Sequence, residues 1–292
     1  MRILTGKEVA DTTMEEVRER NIALYDSTGI KPCLAVVLVG DDPASATYVA
    51  SKHKACEHIG FYHKDFRLAG NTSQETLLEL IQKLNADPEI HGILVQIPLP
   101  KHLDEAQVID RIDPRKDVDG LHPVNIGKLL LGQKGFVACT PAGILRMLDY
   151  YEIQTEGKEV VVVGRSSIVG KPIAALLVQK GRDATVTICH SKTIDLGQVT
   201  SRADILIVAI GRPLAITSNM VKPGAVVIDV GINRIADATR KRGYRNVGDV
   251  DYDSVAQVCE SITPVPGGVG VMTIAMLMYN TLEAALVQQK KE

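Results

Sequence analysis

Six segments of this chain are almost wholly apolar and rich in β-branched residues: CLAVVLVG (33–40), GILVQI (92–97), EVVVVG (159–164), ATVTIC (184–189), DILIVAI (204–210) and AVVIDVG (225–231). A strand with one wet face alternates polar and apolar residues. Unbroken apolar runs therefore predict strands buried on both faces of a parallel sheet. Parallel neighbours need crossovers, and helical stretches fill the gaps, among them QETLLELIQKLNA (74–86) and KPIAALLVQKG (171–181). The latter has Pro in its first turn and Gly at its end, as helices prefer. The chain reads as α/β with right-handed crossovers.

The strands form two groups, near residues 30–100 and 158–231, separated by a Pro- and Gly-containing stretch at 113–141 that reads as loop. With 292 residues there is room for two domains, each with its own core. Residues 272–289 carry apolar side chains at helical spacing, with Met272, Met276 and Tyr279 as core, and this helix is placed back on the first domain.

Net charge is −2 with no basic block, and aromatic residues are sparse (three Phe, eight Tyr, no Trp), which argues against nucleic-acid binding. The N-terminal MRILTGKEVADTTMEEV lacks an apolar signal core, and no apolar run is read as approaching a membrane span. Five cysteines without a CxxC pair suit reduced thiols and a cytoplasmic setting better than disulfides or a zinc site.

In YVASKHK (48–54), Tyr48 and Lys52 stand four apart, on one face of a predicted helix. An aromatic platform beside an amine suits a planar substrate that needs a proton moved. Spacing alone would favour an ordinary solvated lysine. Its company argues otherwise, because VQIPLP (95–100), KDVDG (116–120), GRSSIVGKP (164–172) and PVPGGVG (264–270) follow in that order.

The segment 159–177 reads strand, glycine turn, helix, the context in which helix amides can hold a pyrophosphate. It is neither GxGxxG nor a Walker A loop: five residues separate Gly164 from Gly170, and Pro172 follows Lys171. The next strand runs into Cys189-His190-Ser191-Lys192, with no acid before Asp195 to hold a ribose diol, and Arg165 is available from the turn. These donors favour NADP over NAD. On these residues alone, a plain tight turn and solvent-facing Ser191 and Lys192 remain the alternative. KDVDG fails as a calcium loop, because Arg115 and Ile126 stand where acids are needed. By itself it reads as a turn ended by Gly120, with Asp117 structural.

Together with PASATYVASKHKACEHIG (43–60), DPRKDVDGLHPVN (113–125), CTPAGI (139–144), CHSKT (189–193), VIDVGIN (227–233), VGDVDY (247–252) and TPVPGGVG (263–270), these segments make the chain resemble, nearly end to end, the bifunctional methylenetetrahydrofolate dehydrogenase/methenyltetrahydrofolate cyclohydrolase family. The resemblance implies an N-terminal α/β catalytic domain (1–140 plus 268–292), a Rossmann-type parallel-sheet NADP-binding domain (141–267) and a cleft between them. It implies NADP-dependent oxidation of 5,10-methylenetetrahydrofolate to the methenyl cation, then hydrolysis to 10-formyltetrahydrofolate.

Lys52 matches the family's catalytic lysine, Gln96 the amide that positions it, and Tyr48 the ring that packs on the folate and shares in catalysis. Asp119 matches the pterin-binding carboxylate, and Pro266, Gly267 and Gly268 the substrate-cleft lining. Gly164, Arg165, Ser166, Ser191 and Ile232 match the cofactor side. No metal, nucleic acid or membrane is implied; a homodimer is. Two positions depart from the family pattern: Val271 and Ala138 stand where prolines are common, which is read as loosening two loops. The rival readings are a dehydrogenase without hydrolase turnover and an NADP-binding scaffold with a decayed site.

Overall fold

The computed structural model describes residues 1–240 and 243–289, residues 43–47 as helical backbone only. From the N-terminus run β1 (Arg2–Ile3), α1 (Gly6–Thr28), β2 (Cys33–Val39), α2 (Pro43–Ile59), β3 (Tyr62–Leu68), α3 (Gln74–Ala86) and β4 (Gly92–Val95). Three helices follow, α4 (Glu105–Arg111), α5 (Pro123–Leu130) and α6 (Cys139–Tyr150), then β5 (Glu159–Val163), α7 (Gly170–Leu177), β6 (Thr185–Cys189) and α8 (Leu196–Thr200). The remainder comprises β7 (Ile205–Val208), β8 (Val226–Asp229), β9 (Asn233–Ala236), β10 (Tyr244–Val247), α9 (Tyr252–Val255), β11 (Ser261–Ile262) and α10 (Val269–Gln289).

The chain divides into two compact units: Asp11–Cys139 with Ile274–Glu292, and Met1–Ala10 with Thr140–Thr273. The first holds a three-stranded parallel sheet in the order β3-β2-β4, with Val36 opposite Asp65 and Leu94. Central β2 is buried along its whole length, as its apolar run requires. One of its faces, Cys33, Ala35, Val37 and Val39, packs with Leu77, Ile81 and Leu84 of α3. Edge strand β3 (YHKDFRL) escapes sequence reading because its charged side chains lie half in water.

The stretch at 113–141 is not wholly loop. Pro123 opens α5, and the His122 ring Nδ1 accepts the Val124 N–H at 3.1 Å.

In the same unit the buried Lys116 ammonium donates to Leu84 O and Asp87 O at 3.2 and 2.7 Å, closing the end of α3. Buried His91 accepts the Cys33 N–H on Nδ1 at 3.1 Å, which only the neutral ring can do. Burial first, and Lys116 second, hold its pKa below the usual imidazole value. The unfolded chain therefore binds the proton more readily. The stability from His91 is complete above about pH 6.5 and is lost as pH falls from there through the folded pKa. Urea unfolding between pH 7.5 and 5 should show this loss, and it should shrink in His91→Gln.

The second unit holds a six-stranded all-parallel sheet in the order β1-β11-β8-β7-β5-β6 and a β9–β10 antiparallel hairpin. Residues 1–10, assigned by sequence to the first domain, belong here, because β1 pairs with β11. A two-residue edge strand leaves no hydrophobic run to read. Nor is β6 buried on both faces as expected: it closes the opposite edge, and Ile188 is 41% exposed.

Helix α10 begins at Val269, three residues before the expected start, so Val271 lies in its first turn rather than in a loop. Amides there lack an intrahelical partner in any case, so the missing proline removes no restraint of that kind. Ala138 is buried beside Gly120. Contrary to the sequence reading, α10 is long and apolar enough to cross a membrane by length and composition, with Glu283 its sole charge. Its side chains are instead used in packing: Met272, Met276, Leu277, Met278 and Leu282 are buried, and Tyr279 is half-buried under Arg20. Gln288 donates to His91 O at 2.9 Å.

Candidate active site

Helix α2 carries Tyr48 and Lys52 one turn apart at different depths: Tyr48 is 47% exposed and Lys52 only 7%. The Lys52 Nζ donates to Gln96 Oε1 at 2.8 Å. Gln96 extends β4 by one ladder bond, its N–H reaching Val37 O at 2.8 Å, and its Nε2 donates to Ile97 O at 2.7 Å. That second bond turns the amide so that oxygen faces the lysine. Burial lowers the Lys52 pKa, with the negative charge of Asp119 opposing. A neutral amide orients the amine without adding to that opposition.

The KDVDG turn separates its two acids by role. Asp117 accepts the N–H groups of Leu121 and His122, at 3.2 and 2.8 Å, and Asn125 Nδ2 at 2.8 Å. These bonds engage both its oxygens with the turn and the start of α5, in keeping with a structural acid. Gly120 has φ +71°, and a Cβ there would lie 2.4 Å from Val137 C. Only glycine lets segments 117–120 and 137–139 touch.

Asp119 is thereby held beside Cys139, whose thiol donates to Val118 O at 3.5 Å. Burial raises the Asp119 pKa and Lys52 opposes the rise; burial also pushes the Cys139 thiol well above its ordinary value. The thiol stays protonated and acts as a donor. Lysine and carboxyl are both displaced toward neutrality, a setting for proton transfer. Sequence reading gave Cys139 no role, and its place in CTPAGI beside the KDVDG segment was the available signal. Among the described residues no group of three or more His, Cys, Asp or Glu is arranged to hold a metal ion.

In the six-stranded unit, Gly164 ends β5 with φ +128°, and a Cβ there would meet Ala209 O at 2.2 Å. A Cβ on Gly170 would meet Gly164 O at 2.1 Å, so the two glycines seat α7 directly on the turn. Ser166 Oγ accepts the Val169 N–H at 3.1 Å, bracing that turn from within. A cavity of about 270 Å³ opens beyond the ends of β5, β6 and β7, where Gly164, Arg165, His190, Ser191, Ile210 and Arg212 line it. No carboxylate is among its lining residues. Two guanidiniums beside a hydroxyl and a glycine turn fit a nucleotide phosphate.

Sequence reading missed Arg212 and looked instead to Lys192, whose N–H caps His190 Nδ1 at 3.1 Å. Arg212 follows a turn held by Asp249, which accepts the N–H groups of Ile210 and Gly211 at 2.7 and 2.9 Å and Asn233 Nδ2 at 2.9 Å. Asp229 in turn accepts the amides of Gly231, Asp249 and Val250, each at 3.0 Å, and burial raises its pKa to about 6. The VIDVGIN and VGDVDY segments thus meet around two buried acids.

Ile232 stands half-exposed against Gly270, apart from the Arg165 cavity. Pro266, Gly267 and Gly268 lie between β11 and α10 in the six-stranded unit, where Gly267 O accepts the Gly6 N–H at 2.8 Å. They share no compact unit with Lys52. A larger cavity, about 430 Å³, opens at the start of β5, β7 and β8; its charged groups include Arg2, Asp204, Lys222 and Glu260, and Lys222 pairs with Asp204 at 2.7 Å. It holds none of the predicted site residues, so the smaller cavity is the functional candidate.

Residues 4–119 match the tetrahydrofolate dehydrogenase/cyclohydrolase catalytic domain, and residues 138–289 the NAD(P)-binding domain of the same family. The bifunctional protein FolD of Chlorobium phaeobacteroides is 55% identical over 288 residues, 97% of this chain and 98% of that protein. Among solved structures, the Campylobacter jejuni bifunctional enzyme FolD, a methylenetetrahydrofolate dehydrogenase/cyclohydrolase, superimposes with a TM-score of 0.93 at 49% identity, covering 98% of this chain and 99% of that one. The Trypanosoma brucei N5,N10-methylenetetrahydrofolate dehydrogenase-cyclohydrolase, complexed with NADP cofactor and inhibitor, gives 0.93 at 37% identity over 99% and 98%.

Proposed function

Because the chain belongs to the tetrahydrofolate dehydrogenase/cyclohydrolase family, we propose that it oxidises 5,10-methylenetetrahydrofolate with NADP⁺ and hydrolyses the methenyl product to 10-formyltetrahydrofolate. The observation that carries the reading is the buried Lys52 amine on Gln96 Oε1, with its pKa lowered by burial and Asp119 as the main charge opposing that shift. Hydrolysis requires water to add to the cationic methenyl carbon, a proton to leave that water, and a ring nitrogen to take a proton as its C–N bond breaks. A neutral Lys52 accepts the water proton and returns it to nitrogen. The substrate cation disfavours a second positive charge nearby and so increases the neutral fraction. Asp119 accepts two hydrogen bonds from the aminopyrimidine edge, and the exposed ring of Tyr48 packs on the folate's aromatic portion.

When bound, NADP⁺ supplies the hydride acceptor. Gly164 and the start of α7 hold its pyrophosphate, and Arg165, Ser191 and Arg212 hold the 2′-phosphate. Pro266, Gly267, Gly268 and Ile232 line the path of substrate and cofactor. Losing one charge-assisted contact in Arg165→Gln should raise the KM for NADP⁺ about 10- to 100-fold and leave that for NAD⁺ nearly unchanged. Parallel initial-rate measurements with both cofactors decide this. A homodimer, checked by light scattering, and a cytoplasmic setting, in keeping with five free, buried thiols, complete the reading.

The direct test follows methenyl absorbance and 10-formyl product separately, starting from methylenetetrahydrofolate and NADP⁺. Formation of both products is expected. Nucleotide binding without either product would point to a binding protein, and methenyl accumulation without hydrolysis to a dehydrogenase alone.

A further inference from the structure

Asn280 is a buried polar residue on the largely apolar α10, six per cent exposed, with Met276, Leu277, Met278 and Leu282 close to it in sequence. A buried amide is costly unless its hydrogens are used. Here both are: Nδ2 donates to Val118 O at 2.9 Å and to Val137 O at 3.0 Å, with Cys139 Sγ at 3.8 Å. Val118 immediately precedes Asp119, and Val137 lies two residues before Cys139, whose thiol donates to that same Val118 O. The same two segments are those that Gly120 brings into contact. One side chain therefore grips both backbone walls around the Asp119 carboxylate, from a helix more than 140 residues away in sequence.

We propose that Asn280 is a positioning residue for folate recognition: its amide clamps the 118 and 137 carbonyls so that Asp119 and Cys139 face Lys52 in one fixed arrangement. This deepens the functional reading above and rests on it. An apolar residue of similar size would fill the space but take this donor from both carbonyls, leaving Val118 O with the Cys139 thiol alone. A carboxylate of the same shape would set negative charge against both. The charged groups that face Asp119 are Lys52 and Asp117, with the Cys139 thiol beside them.

The experiment compares wild type, Asn280→Leu and Asn280→Asp in steady-state oxidation and hydrolysis, with NADP⁺ and folate varied separately. Asn280→Leu should raise the KM for both folate substrates about tenfold, the loss of roughly one good buried contact, and leave the KM for NADP⁺ unchanged. Because Asp119 raises the Lys52 pKa, its displacement should also move the pH midpoint of hydrolysis downward. Asn280→Asp should have a folate KM that worsens from pH 6 to pH 8 relative to wild type, as its carboxyl loses the proton it could donate.

Should Asn280→Leu fail to fold, the pH series on Asn280→Asp decides. An unchanged folate KM and hydrolysis midpoint in an active enzyme would overturn the proposal, as would equal loss of folate and NADP⁺ kinetics together with a lowered Tm. Absence of turnover in wild type would instead sink the functional reading itself.

Discussion

Lys52→Met is expected to lower methenyl hydrolysis by about 10²- to 10⁴-fold, the contribution of a positioned proton-transfer group. Methionine keeps the length of the side chain and its place on α2 but has no amine. Gln96 Oε1 then loses the donor it meets at 2.8 Å, and the Asp119 carboxyl loses the cation that restrains its raised pKa. NADP⁺ affinity should be unchanged, since Arg165, Ser191 and Arg212 lie in the other compact unit. In the wild type, hydrolysis should rise with pH through a midpoint below the ordinary lysine value, because only the neutral amine accepts a proton and burial lowers its pKa. The check is separate recording of methenyl decay and 10-formyl product across pH. A variant that hydrolyses at the wild-type rate would remove Lys52 from the mechanism.

Gly164→Ala should act on the other half of the chemistry. The new Cβ would stand 2.2 Å from Ala209 O at φ +128°, a conformation that alanine resists. Either β7 or the turn must move by roughly 1 Å, and misplacement on that scale costs about 10²-fold. The turn leads into α7, whose Gly170 already touches Gly164 O, so there is no slack to absorb the shift. NADP⁺ affinity and the oxidation rate should fall together, whereas hydrolysis of supplied methenyltetrahydrofolate should persist. Calorimetric NADP⁺ titration beside a hydrolysis assay separates these. Equal loss of both activities would mean that the substitution unfolds the chain rather than the site.

The buried strands and the glycine turn were legible because each writes its environment into a short stretch. A run such as VVVV at 160–163 is soluble only when covered, and a turn that seats a helix against its own strand excludes side chains at Gly164 and Gly170. The pairing of Lys52 with Gln96 could be named only by resemblance, because 44 residues and two elements separate them. Edge strands β1 and β3 left no comparable trace, and α5 hid within a stretch of prolines and glycines.

Other features depend on where distant segments end. Lys192 and Arg212 are equally basic in sequence, but the turn held by Asp249 places Arg212 on the cavity. Asn280 looks like a flaw in an apolar helix until Val118 O and Val137 O are found above it. By itself the sequence determined the α/β class, the strand–turn–helix nucleotide motif and the residue types able to move a proton, since these follow from local periodicity and side-chain chemistry. The tertiary structure alone decided which acid of KDVDG is spent on the backbone, which cation meets the cavity and which side chains share a buried site. Burial and hydrogen-bond partners are properties of non-local packing, and they set both the pKa of Lys52 and the setting of Asp119.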